Sequence, residues 1–345
     1  MRETPEAPSV SVVVIVLNGA GSIRACLDAL TRQDYPRDRY EVIVVDNGSN
    51  DGTVELARSY RVRLVHERKR GYAPARNAGV QAAAGEIIAF TDADCFAEPD
   101  WLSELTRPYG DPSVGIVGGT VRSYVPPAPT MVEAFIDRAG FTAQGAPRAD
   151  GLVPCLVTRN VSYRKTLLER AGLFDEELPT CEDVDMSRRV QLLLGAAAVV
   201  APAAVVHHKH HDTWHKLARF MRRDGYGEML MAARWKSHPA FQTSAAGELR
   251  RLLRQYRAML TYLLSFAYRC VRSPLDRKGL SHIAHPVLWL VAESANVEGK
   301  LEGLIATRLL WHAPSPALWS ESRIVPDRPA RRSEPGHAGV PGFET

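Results

Sequence analysis

Thr91-Asp92-Ala93-Asp94-Cys95 sets two carboxylates two residues apart, directly after the apolar run 87–90. If that run is a buried strand, both acids emerge at the carboxyl edge of a sheet. There they can share a divalent cation, Mn2+ or Mg2+, whose other ligands are phosphate oxygens and water. Without a cation the same pair is simply two solvated turn acids. A second candidate is Val44-Val45-Asp46-Asn47-Gly48-Ser49-Asn50-Asp51-Gly52-Thr53, where an apolar run enters a turn-rich loop. Asp46 and Asn47 can accept hydrogen bonds from a nucleobase or ribose, the alternative being an ordinary strand-to-helix turn capped by Thr53.

His207-His208-Lys209-His210-His211, with His215 four residues further on, is a third cluster. Imidazoles at i and i+4 can bind zinc, and a histidine ending a strand can add a ligand to the cation held by Asp94. With no cysteine nearby, His207 or His208 beside the anion site is favoured over a separate zinc centre. The metal set expected is Asp94 with His207, and a solvated basic loop is the plain alternative. Thr180-Cys181-Glu182-Asp183 matches a helix start, with Thr180 as cap and an acid three residues on, where the helix dipole favours negative charge.

These residues need a scaffold that brings loops to one edge. The run 10–17 is rich in β-branched residues and almost unbroken in hydrophobicity, as a strand covered on both faces requires. Helical spacing of Ile23, Cys26, Leu27 and Leu30 stops at Tyr35-Pro36, and 40–45 gives a second strand. Residues 53–60 and 75–84 read as helices, and 62–65 and 87–90 as strands. This alternation predicts an α/β fold with a doubly wound, mostly parallel sheet whose ligands bind at the strands' carboxyl ends. Further on, 114–117 and 197–206 read as strands, and 131–139, 167–171, 182–194, 213–235 and 248–271 as helices.

The order S-V-V-V-I-V-L-N, V-V-D-N-G-S-N-D-G-T, G-Y-A-P-A-R-N-A-G and A-G-E-I-I-A-F-T-D-A-D-C resembles the nucleotide-sugar-binding half of family 2 glycosyltransferases with the glycosyltransferase A fold. The resemblance covers roughly residues 9–235 and includes Ala171-Gly172-Leu173-Phe174-Asp175-Glu176 and Cys181-Glu182-Asp183-Val184-Asp185, which are similar to the family's G-G-F-D-E and E-D segments. It implies that Asp46 and Asn47 face the nucleobase and ribose, Arg76 lies near the diphosphate or orients its loop, and Asp92 contacts the ribose or a metal-bound water. It also implies that Asp94 ligates the metal and that Asp183, with Glu182 beside it, supplies the general base. Relatives often carry a second Asp where this chain has Asn47 and an aromatic where it has Leu17, so the base bound is left open. The implied activity is inverting, metal-dependent transfer of a sugar from a nucleoside diphosphate sugar to an acceptor hydroxyl. The acceptor can be a glycan, a lipid carrier, a peptide or a small molecule. Processive synthases of the family usually show a Q-x-x-R-W segment after the E-D motif along with membrane helices; the sequence shows neither, so a non-processive enzyme is expected.

Composition agrees with a folded enzyme: 45% of 345 residues are hydrophobic and 24% charged. A sugar-phosphate nucleotidyltransferase should carry a glycine-rich phosphate loop with Arg and Lys after its first strand, and Asn18-Gly19-Ala20-Gly21-Ser22-Ile23-Arg24 lacks the lysine. A catalytically silent binding scaffold is the remaining alternative. Five cysteines without a C-x-x-C pair argue against a disulfide framework. No export signal or membrane-spanning run is evident, so a cytoplasmic protein is expected. The expected division is a flexible 1–8, a donor- and acceptor-binding domain over 9–240, a basic helical extension over 241–312 and a disordered tail over 313–345. Although the net charge is only +4, residues 207–278 hold a surplus of ten positive charges. Their basic helices, with the stripe Leu249, Leu252, Leu253, Tyr256, Met259, Leu260 and Leu263, suit an anionic membrane surface, closure over a diphosphate or a solvated face. Nucleic acid is not expected, because no binding module accompanies the charge.

Overall fold

Valines on alternate faces of the first strand are buried on both sides, and that requires helices above and below it. In the computed structural model, which describes residues 7–141, 145–241, 254, 257, 260–265, 268 and 281–311, this is what the chain builds. Strands β1 (Val10–Val16), β2 (Tyr40–Asp46), β3 (Arg63–His66) and β4 (Ile87–Asp92) pair in parallel, in the order β3-β2-β1-β4. Helices α1 (Ile23–Leu30), α2 (Thr53–Arg58) and α3 (Tyr72–Ala82) connect them. Val10, Val12, Val14 and Val16 pack with α1 and α2 in one core, which also takes in α4 (Trp101–Thr106). Val13, Ile43 and Val45 pack with α3 in the other core, together with α6 (Lys165–Arg170) and α7 (Glu182–Leu192).

The sheet continues beyond β4 as β7 (Val161–Arg164), β6 (Val114–Tyr124), β8 (Ala197–Lys209) and β5 (Cys95–Ala97). Here β7 runs antiparallel to β4 and β6, and β5 antiparallel to β8, while β6 and β8 are parallel. The doubly wound sheet expected from the sequence is therefore parallel in its first half and mixed in its second. Strand β8 also extends to Lys209, past the expected end at Val206.

Helix α5 (Met131–Ala139), held by a Thr130–Glu133 capping box, joins α8 (Trp214–Trp235) and α9 (Ser281–Trp311) in a third apolar cluster. The C-terminal helical extension is thus packed on the sheet domain through α8. Glycines permit the close approach: a Cβ on Gly225 or Gly299 would collide with the backbone of Asn296 or Arg222 across the α8–α9 contact. Most of the expected helix over 248–271, and the stripe residues Leu249, Leu252, Leu253, Tyr256 and Met259, lie outside the described residues, as do the N-terminal residues 1–6 and the tail 312–345. Leu260 and Leu263 are described and are exposed. No helix among the described residues is long and apolar enough to cross a membrane.

Candidate functional site

From β1 the chain crosses to β2 on one side, and from β3 it returns to β4 on the other, so the carboxyl ends of β1 and β4 form a switch point with a crevice between them. A cleft of about 570 Å³ opens there, with Leu17–Gly19 from the end of β1 and Asp92–Asp94 from the end of β4 in its wall. Asn18 holds a left-handed backbone (φ 55°). That turn is laced to the following loop: Asn18 and Gly19 donate backbone N–H groups to Ser49 Oγ and Thr53 Oγ1. Thr53 is the first helical residue after Gly52, so its hydroxyl ties two loops together rather than capping α2.

Asp92 and Asp94 meet at the cleft. Arg159 Nε lies 4.0 Å from Asp92 Oδ2, and His208 Nε2 lies 3.6 Å from Asp94 Oδ2. Burial and the charge of Asp94 raise the Asp92 carboxyl. Burial also opposes ionisation of Asp94, but the neighbouring His208 and Arg159 outweigh it and hold that carboxyl below its ordinary value. Ligand atoms of Asp94, Cys95 and His208 lie within 4.8 Å of one another. Burial pushes the Cys95 thiol well up, and Asp94 with His208 offers a carboxylate and an imidazole as a ligand pair. Oxygen and imidazole donors beside a second acid suit Mn2+ or Mg2+.

Pairing of β5 with β8 decides which histidine belongs here: Cys95 is opposite His208 and Phe96 opposite His207. Successive side chains in a strand point to opposite faces. His207 consequently turns away and meets Glu98 at 2.9 Å, so the histidine that joins Asp94 is His208, not His207.

Asp46 and Asn47 brace loops. Asp46 Oδ1 accepts from Ser49 N–H and Oδ2 from Gly48 N–H, with His66 Nδ1 at 3.3 Å. Burial opposes its charge, but these hydrogen bonds hold the carboxyl below its usual range. Asp46 is not in the cleft wall. Asn47 is, but its amide donates to the Glu67 and Lys69 carbonyls and accepts from Gly71 N–H, so it fixes the loop that carries Arg70 to the cleft.

Helix α7 forms the opposite wall. Its N-cap is Cys181 in a left-handed conformation (φ 60°), without a side-chain cap. The capping role expected of Thr180 is therefore not taken up. Asp183 faces the cleft, its Oδ2 accepting from Thr158 N–H at 3.2 Å and from the Thr158 hydroxyl at 3.3 Å. Glu182 is 3% exposed and pairs with Arg76, which is 5% exposed. The Arg76 guanidinium lies over the rings of Tyr72 and Phe174 at 5.5 and 5.9 Å. Arg76 and Glu182 thus join α3 to the start of α7.

Of the residues singled out in the sequence, Asn47, Arg76, Asp92, Asp94, Glu182 and Asp183 line one cleft, together with His208; Asp46 and His207 do not. Tyr72, from the G-Y-A-P-A-R-N-A-G segment, and Arg223, from the basic helical region, also line it, as does Arg159, which carried no signal in the sequence. Arg234-Trp235 is the end of a Q-x-x-R-W-like pattern, with Met231 at the Gln position. Arg234 donates to Asp175 and Asp185, and Trp235 Nε1 to Asp185; Asp175, Asp185 and Trp235 are buried.

The model of glycosyl transferase family 2 matches residues 11–172. Glycosyltransferase AglE of Haloferax volcanii is 34% identical over 54% of this chain and 62% of its own length. Validoxylamine A glucosyltransferase of Streptomyces hygroscopicus subsp. jinggangensis is 30% identical over 54% and 52%. The pre-mycofactocin glycosyltransferase of Mycobacterium tuberculosis is 31% identical over 60% and 44%. The matched segment spans about half the length of these relatives. Among solved structures, mannosyltransferase PcManGT from Pyrobaculum calidifontis, in complex with GDP-Man and Mn2+, matches 87% of this chain and 88% of its own with a TM-score of 0.56 at 22% identity. S. aureus TarS 1-349 in complex with UDP-GlcNAc matches 88% and 91% with a TM-score of 0.51 at 16% identity. The fold is that of the glycosyltransferase A type.

Proposed function

We propose, from the match of residues 11–172 to the model of glycosyl transferase family 2, that the chain transfers a sugar from a nucleoside diphosphate sugar to an acceptor hydroxyl, with inversion and without processivity. The observation that carries the proposal is the convergence in one cleft of Asp92, Asp94 and His208 at the end of the sheet and Asp183 on the facing helix.

Asp94 and His208 would hold a divalent cation, Mn2+ or Mg2+, with Asp92 beside it. Bound there, the ion supplies charge neutralisation for the departing diphosphate. Arg159 adds a fixed positive charge on the same side. Asn47 and Asn18 shape the loops around the nucleoside, and Arg70 reaches the cleft from the loop that Asn47 braces. Asp183 takes the proton from the acceptor hydroxyl as that oxygen attacks the anomeric carbon from the face opposite the diphosphate. A single displacement of this kind inverts the anomeric configuration. Thr158 holds the Asp183 carboxylate with two hydrogen bonds at the first turn of α7. Arg76, paired with Glu182, keeps the start of α7 against the donor half. The test is a donor screen that follows nucleoside diphosphate release from each common nucleotide sugar with Mn2+, Mg2+ or chelator. Metal-dependent release with one donor is expected, and release unaffected by chelator overturns the metal assignment.

A further inference from the structure

A second chamber of about 500 Å³ opens off the metal corner of the cleft. Asn18, Tyr72, Asp94, Phe220 and Arg223 border both volumes, whereas Lys209, His210, Asp212, Lys216 and Arg219 line only the second. Its four cations, Lys209, Lys216, Arg219 and Arg223, face two carboxylates, Asp94 and Asp212. Lys216 pairs with Asp212 at 2.7 Å and Arg223 donates to the Tyr72 hydroxyl. Neither Lys209 nor Arg219 has an ion-pair partner among the described residues.

The basic loop is more than a solvated face. His210 is 5% exposed, and its Nε2 is buried without a hydrogen-bond partner. The first turn of α8, capped by Thr213, carries Lys216 and adds the positive end of the helix dipole. Phe220 and Tyr72 give the chamber an aromatic side toward the main cleft, a surface on which the apolar face of a sugar can pack. An ion at Asp94 would leave the chamber more positive still. A group with two negative charges and several acceptor oxygens answers that charge and that set of donors.

Resting on the donor reading above, we propose that the chamber binds a phosphomonoester on the acceptor, anchored by Lys209, Lys216 and Arg219 against the His210 wall, so that the acceptor is a phosphorylated hydroxyl compound. Its remainder extends past Tyr72 and Phe220 into the main cleft. The phosphate can belong to a soluble sugar phosphate or to a lipid carrier.

Calorimetric titration of the whole chain with glucose 6-phosphate against glucose, and with farnesyl phosphate against farnesol in mild detergent, tests this. Each titration is run with and without saturating nucleoside diphosphate and Mn2+. One phosphorylated probe should bind at least about tenfold more tightly than its neutral counterpart, and which one does so identifies the source. Arg219→Gln and Lys209→Gln, both at exposed side chains, should each weaken that probe by about three- to tenfold while changing nucleoside diphosphate affinity less than about twofold. Equal binding of phosphorylated and neutral probes overturns the proposal. So does a parallel loss of nucleoside diphosphate affinity, which would make the chamber part of the donor site. If the wild-type chain binds no nucleoside diphosphate, the donor reading fails by itself, and the comparison of probes still decides the phosphate site.

Discussion

Replacing Arg76 by Met leaves Glu182 with its charge in a site only 3% exposed and removes a guanidinium packed over two aromatic rings. Breaking a buried pair from one side costs about 3–5 kcal/mol, most of it the desolvation of the remaining charge. For a domain of this size that is a fall in melting temperature of about 10 °C. Glu182→Gln in the Arg76→Met background removes the stranded charge and should recover at least about half of the loss. Thermal unfolding of the two single variants and the double variant gives the coupling, and nucleoside diphosphate titration of the double variant separates the two roles open to Arg76. A residue that holds α7 against α3 leaves nucleotide affinity within about threefold, whereas a direct diphosphate ligand loses far more. The reasoning fails if Arg76→Met costs less than about 1 kcal/mol, or if Glu182→Gln makes the single variant worse.

Asp94→Ala should keep the fold and lower transfer by on the order of 10² or more, with Mn2+ affinity falling in parallel by titration, and His208→Ala should do the same less severely while His207→Ala does not. His210 is held neutral, with a pKa pushed down from 6.5 to about 4, first by burial and then by His208. The unfolded chain therefore takes up a proton before the folded one does, and stability falls as pH drops from 6.5 toward 4 by up to about 3 kcal/mol. His210→Gln should flatten that part of a denaturation-versus-pH profile, and an unchanged slope would exclude the residue. Gly119→Ala should destabilise by about 2–3 kcal/mol in chemical denaturation, because its Cβ would collide with the Asn160 amide and the Ala204 carbonyl, and Asn160 is buried with hydrogen bonds to Thr120, Ala204 and Trp101.

Much of the donor half is legible because its signals are local. A β-branched, almost unbroken apolar run such as Val10–Val16 reads as a strand covered on both faces, and Asp92 and Asp94 end and follow a strand of the same kind. What escaped depends on pairing between distant segments. Whether His207 or His208 reaches Asp94 is a matter of strand register, since a shift of one residue exchanges the faces, and that register is set by β5, three residues long and carrying no pattern of its own. Arg159 approaches Asp92 only because β7 runs antiparallel to β4. Asp46 and Asn47 stood out as polar residues at a strand end. Asp46 turns back on the nearby Gly48 and Ser49 N–H groups, whereas Asn47 bonds backbone groups 20 to 24 positions along the chain, which is a property of the folded loops.

Single-turnover transfer by Asp183→Asn, paired with equilibrium titration of the nucleoside diphosphate sugar and Mn2+, bears most directly on the proposed chemistry. The amide keeps the size of the side chain and can still accept from Thr158, but it cannot take a proton from the acceptor. Donor affinity should stay within about threefold and the transfer step should slow by on the order of 10² to 10⁴. A transfer rate within about threefold of wild type at unchanged donor affinity would contradict the assignment of Asp183 as the base.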